Sequence, residues 1–83
     1  MKSNALADMI ATQLDAEGST LIAVAVGNGM GTVLYDNKHG ERICHLFDET
    51  GRYHGVYSGS GDNPEAKFED RARAYVHQNR VMV

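Results

Sequence analysis

The chain predicts a small α+β domain, an antiparallel β-meander of three to four strands flanked by an N-terminal and a C-terminal helix. Three observations point there. Apolar residues recur at helical spacing near both ends of the chain. Between them lie short apolar runs rich in β-branched residues. Turns containing glycine and asparagine separate those runs by too few residues for a crossover, so consecutive strands must be antiparallel. The order α-β-β-β-β-α over residues 1–83 is read as a single domain with both helices on one sheet face.

Each element has its own warrant. Ser3 or Asn4 offers a side-chain oxygen to the opening amides of the first helix. Leu6, Met9, Ile10 and Leu14 form its apolar stripe, and Gly18 stops it, which places the helix at about residues 4–16. Thr20 to Val26 is apolar without alternation, the pattern of a strand buried on both faces. Thr32 to Asp36, Glu41 to Asp48 and Tyr53 to Ser58 follow as further strands. Gly59 to Asn63 is a connector, with Asp62 or Asn63 as the cap of the second helix and Pro64 in its first turn. Phe68, Ala72, Tyr75 and Val76 mark the buried stripe of that helix. The closing residues Val81, Met82 and Val83 are apolar and are expected to pack on the core or on another chain.

Composition narrows the function classes. Eight Lys and Arg stand against eleven Asp and Glu, a formal charge of −3. That balance opposes sequence-independent nucleic-acid binding, whose affinity comes largely from neutralising phosphates. The single Cys44 excludes an internal disulfide framework and a four-cysteine zinc site, and it fits a reducing, cytoplasmic location. No apolar run approaches the roughly 20 residues of a membrane span. A domain of this length buries only about 60–65% of its unfolded surface, so a partner would add stability.

The motifs supply no catalytic set, no cofactor site and no metal site. Gly27-Asn28-Gly29-Met30-Gly31 leads from strand to strand, so it reads as a hairpin turn and not as a phosphate loop. His39-Gly40-Glu41 matches half of a zinc deaminase signature, but the cysteine pair that completes such a site is missing. Cys44 and His45 are strand neighbours and point to opposite faces. With Asp48 opposite Tyr53, the last hairpin carries Ile43, His45, Phe47, His54 and Val56 on one face. Cys44, Leu46, Tyr53 and Tyr57 then take the other. His45 and His54, with Glu41 further along, lack diagnostic metal spacing and read as surface or interface histidines. Neither face is polar. The face left free by the helices is therefore expected to be an interface, with a homodimer as its simplest form.

The order helix, antiparallel strands, helix resembles that of double-stranded RNA-binding domains. The resemblance implies a lysine-rich start to the second helix, where this chain has Asn63-Pro64-Glu65-Ala66-Lys67. The leading expectation is a non-enzymatic protein-interaction module whose acidic surface occupies the basic groove of a larger nucleic-acid-handling partner. In size and charge the chain resembles phage or mobile-element proteins that inhibit host machinery, anti-CRISPR proteins included. The expected binding residues are Asp48 and Glu49 on the hairpin, Asp62 on the connector, and Glu65, Glu69 and Asp70 on the second helix. Tyr53 and Tyr57 join them on the sheet. One alternative is a nucleic-acid-binding strip of Arg71, Arg73 and Arg80 with Lys67 and His77. Another is a dimeric enzyme with a pocket of His45, His54, Tyr53 and Tyr57.

Overall fold

A computed structural model describes residues 3–27, 29–51, 53–58, 63–75 and 79–82. The backbone forms α1 (Ser3–Ala16), β1 (Thr20–Gly27), β2 (Met30–Asp36), β3 (Arg42–Asp48), β4 (Tyr53–Ser58), α2 (Pro64–Tyr75) and β5 (Asn79–Met82). The strands pair in the order β4-β3-β2-β1-β5, and every pairing is antiparallel. From β4 at one edge the chain crosses the sheet as α2 and returns at the other edge as β5.

Both helices have chemically defined ends. Gly18 adopts φ 78°, which a residue with a Cβ resists. Its N–H donates to Asp15 O at 3.1 Å, and the N–H of Ser19 donates to Leu14 O at 2.9 Å. This pair of bonds closes the helix as a Schellman motif. At the start of α2, Asn63 Oδ1 accepts from the N–H of Ala66 at 3.3 Å, and Pro64 occupies the first helical position.

The two helices lie on opposite faces of the sheet, which corrects the expectation of a shared face. Leu6, Ala7, Ile10 and Leu14 of α1 pack on Val24, Val26, Val33, Tyr35, Ile43 and Phe47. Phe68 and Ala72 of α2 pack on Ala23, Ala25, Leu34 and Cys44. Alternation along each strand separates the two sets, because successive side chains point to opposite faces. The unbroken apolar run of β1 thus serves two cores. The sheet face of Ala23, Ala25, Leu34 and Cys44 thus carries a helix of its own.

Two further details depart from the sequence reading. Val81 and Met82 belong to β5, where their backbones pair with Val24 and Ala23; Val83 lies outside the described residues. In the β3–β4 pair, Phe47 is opposite Tyr53 and Leu46 is opposite His54, one residue away from the expected register. A register shift follows, so that His45 pairs with Tyr57 and Cys44 with Ser58. Tyr53 therefore shares the α1 face with Phe47 and His45, not the face of Cys44.

Gly31 shows how closely the α1 face is packed. A Cβ there would fall on the ring of Phe47 and 3.0 Å from Val26 Cγ1. This glycine answers to the approach of a neighbour rather than to a turn: positive φ belongs to Gly29, not to Gly31.

Candidate functional site

Three arrangements of side chains emerge from this frame. The first is an aromatic stack on the α1 face. Val33 pairs with His45 across β2–β3, so Tyr35, two residues on, lies diagonally beside His45. Phe47 pairs with Tyr53, which sets Tyr53 diagonally on the other side. The rings of His45 and Tyr53 stack with centroids 4.3 Å apart and 17° between planes. Tyr35 stands 6.0 Å from His45 and 6.3 Å from Tyr53. Tyr35 Oη and His45 Nδ1 are 3.0 Å apart, within hydrogen-bond reach.

Burial sets the protonation states in this stack. It holds the His45 imidazole below its ordinary value of 6.5, and the positive charge of Arg71 acts in the same direction. The Tyr53 hydroxyl is pushed up to about 12, mainly by burial and then by the negative charge of Glu17. Gln13, Glu17 and Tyr35 surround Tyr53 Oη, yet among the described residues no group meets this buried oxygen with hydrogen-bond geometry. Both groups thus favour their neutral forms in a stack packed against α1.

The second arrangement lies on the α2 face. Cys44 is fully buried, and its Sγ accepts from Arg71 Nη1 at 3.2 Å. Thr32 Oγ1 lies 3.4 Å from the same sulfur and 3.3 Å from the carbonyl oxygen of His45. Arg71 is only 8% exposed. It is turned into the sheet and cannot belong to a solvent-facing basic strip. Arg73 is exposed and pairs with Asp70 at 2.6 Å. The backbone of Arg80 lies in β5, paired with Ala25. His77 falls outside the described residues.

The third arrangement is the distribution of surface charge. The expected acidic set does not form one patch. Glu65 lies 3.8 Å from Arg42 at the start of β3, whereas Asp48 ends that strand. At about 3.3 Å per residue the two ends are roughly 20 Å apart. Asp36 also holds Arg42, through contacts of 2.8 and 3.0 Å, and that guanidinium keeps the Asp36 carboxyl below its ordinary value of 3.8. Asp48 Oδ1 accepts from the backbone N–H of Thr50 at 2.9 Å and from its hydroxyl at 2.5 Å, so this carboxylate shapes the turn. Glu49 is exposed and Glu69 is partly buried. Asp62 lies outside the described residues, and Tyr57 is placed by its backbone pairing with His45.

A surface outside the expected set carries charge of one sign. Ala5, Asp8, Thr12 and Asp15 are exposed and recur at helical spacing along the outer side of α1. Exposed Glu17 follows at its C-terminal end. Neither lysine nor arginine occurs between Ser3 and Ala16. An open groove of about 500 Å³ adjoins that end, lined by Ala16, Glu17, Ser19, Tyr35, Lys38 and His39 among others.

The sequence reading had named His45 and Tyr53 together but had not singled out Tyr35. Its signal lay in the short β2–β3 turn: pairing Asp36 with Arg42 puts Tyr35 diagonal to His45. His54 is opposite Leu46, one step out of phase with His45, so the proposed histidine pair does not form along the ladder. Among the described residues no group of three His, Cys, Asp or Glu is placed to hold a metal ion, and no helix is long and apolar enough to cross a membrane. No family model matches the chain, and neither a curated protein nor a solved structure is significantly similar to it.

Proposed function

We propose that this domain is a non-enzymatic protein-interaction module that docks an anionic surface on a basic groove of a larger nucleic-acid-handling partner. The observation that carries the reading is the outer side of α1. Asp8 and Asp15 stand there exposed, Glu17 follows, and no cation interrupts them along the helix. The other helix differs: its outer side mixes Glu65, Lys67, Asp70 and Arg73, and Asp70 is held by Arg73. Mixed charges cancel at a distance, whereas a stripe of one sign steers encounter with an oppositely charged surface. Short aspartates on a packed helix also lose little side-chain freedom on docking, compared with long charged side chains. The size and acidity of the chain add a specific form to the proposal. It would act as an inhibitor of the kind that phage and mobile elements direct at host machinery, as anti-CRISPR proteins do.

The test uses the tagged domain to capture proteins from a bacterial lysate, with and without nuclease. Captured protein should survive nuclease and should fall at least about tenfold with the double variant Asp8→Lys/Asp15→Lys, a loss of about 1.4 kcal/mol. The control Asp70→Lys should retain most of it. Capture that collapses with nuclease, or that ignores the α1 charge reversal, overturns the proposal. Circular dichroism of the double variant separates lost docking from lost fold.

A further inference from the structure

We propose that α2 and β5 form a strap that releases as one unit from a body made of α1 and the β1–β4 meander, and that this release governs access to the only thiol of the chain. The two cores of the domain share no residue. Under α1, helix and strands meet through Leu6, Ile10, Leu14, Val24, Val33 and Phe47, all essentially inaccessible. Among the described residues, none of α2 or β5 takes part in that core. Three or more strands with an apolar face packed on a helix meet the requirement for independent stability. The body can therefore stay folded while the strap is away.

The strap is held on weaker terms. Among the described residues, Phe68 is the one large apolar side chain that α2 buries, and it meets a sheet face of Ala23, Ala25, Leu34 and Cys44. Hydrophobic stabilisation scales with buried area, so lifting α2 from these mostly small residues costs less than parting α1 from its core. The polar ties run from Arg71 Nη1 to Cys44 Sγ at 3.2 Å and from Glu65 to Arg42 at 3.8 Å. On release the guanidinium and the carboxylate regain water, which offsets much of what those contacts contribute. β5 adds four pairings with β1, from Ala23–Met82 to Val26–Asn79, and no strand lies on its other side. A ladder bond contributes about as much as the ordering of its residue costs, so a strand this short holds only while α2 positions it. Residues 76–78 alone separate the two elements. Loss of one is therefore loss of the other.

Release has a defined chemical consequence. Cys44 is the only cysteine of the chain, and it is fully buried on the face that α2 covers. With the strap docked, the sulfur is shut off from solvent. With the strap released, the sulfur lies on a bare sheet face, and the flank of β1 from Ala23 to Val26 opens beside it. Partial opening of this kind occurs at a lower free energy than global unfolding.

Labelling of Cys44 by excess iodoacetamide, with its rate divided by that of the urea-unfolded chain, tests the strap. The opening so measured should be at least about tenfold more frequent than global unfolding, a difference of about 1.4 kcal/mol. Its dependence on urea should be well below that of the global transition, because less surface is exposed. Phe68→Leu should speed labelling several-fold, whereas Ile10→Val should lower global stability and leave labelling unchanged. Amide hydrogen exchange should show α2 and β5 losing protection at one common level, below that of α1, β2 and β3. Labelling that follows global unfolding, or that responds to Ile10→Val as the global transition does, overturns the strap. So does labelling indifferent to Phe68→Leu, or protection of β5 at a level different from that of α2. Should Phe68→Leu fail to fold, the urea dependence of labelling and the exchange levels in the unaltered protein decide by the same comparison.

Discussion

The two faces of the sheet are built on different terms. Under α1 lies a core of large side chains, in which Leu6, Ile10, Leu14, Val24, Val26, Val33 and Phe47 are all essentially inaccessible. Under α2 the sheet offers Ala23, Ala25, Cys44 and Leu34, and the helix returns Phe68 and Ala72. Small residues on both sides let α2 come close and leave room for the Arg71 guanidinium to lie on the Cys44 sulfur. Shape-filling hydrocarbon thus holds the first face. The second combines one large aromatic anchor with a polar contact that must stay satisfied once it is buried.

This contrast orders the mutational effects. Ile10→Ala should cause the largest loss, about 2–5 kcal/mol, because it leaves a void where nothing can collapse to fill it. For a domain of this size that is a large share of total stability, and urea unfolding would show a shifted midpoint. Cys44→Ala should cost less, about 1–3 kcal/mol, through the lost contact between Arg71 Nη1 and the sulfur rather than through lost volume. Adding Arg71→Met to Cys44→Ala should recover part of that loss, since an apolar side chain then replaces the guanidinium that had lain on the sulfur. If Cys44→Ala proves as damaging as Ile10→Ala, or if Arg71→Met makes it worse, the two faces are held by the same means and the contrast fails. Arg42→Ala should have the smallest effect. It removes the exposed links to Asp36 and Glu65, and the difference from the parent should vanish with added salt. Asp36 also sets the sign of the acid response of this site. Its depressed carboxyl makes the contribution of the pair present above pH 3.8 and lost as the pH falls below it.

Much of the fold was legible in the sequence, and the limits have physical causes. The periodicity of Leu6, Ile10 and Leu14, the stop at Gly18 and the cap at Asn63 all act locally, so residue order alone reveals them. The same holds for the antiparallel order of β1 to β3, which short turns impose. The sides taken by the helices are not local. Thr20 to Val26 did carry the clue, since an apolar run without alternation calls for cover on both faces. Arg71 hid the α2 face because a charged residue is not counted as core until a partner is seen. The register of β3–β4 was missed at the turn, where Phe47 and not Asp48 lies opposite Tyr53, and with it the side on which Tyr53 lies. The candidate site depends on more than residue order: Glu65 lies beside Arg42 at one end of β3, Asp48 shapes the turn at the other, and the outer side of α1 carries Asp8 and Asp15 without a cation between them.

The placement of β5 has a bearing on how the chain comes together. β1 is an inner strand only because the last strand closes against it, with Ala23 opposite Met82 and Val26 opposite Asn79. During synthesis, the helix α1 and the β1–β3 meander emerge early and share mostly neighbouring contacts, which favour rapid formation. The flank of β1 then waits, with its hydrogen-bonding groups open, until Asn79–Met82 leave the ribosome. An unpaired strand of such apolar character is a template for pairing with other chains. Assembly of this domain therefore hinges on the four-residue strand β5, and removing it would leave β1, an inner strand of the sheet, open along one side.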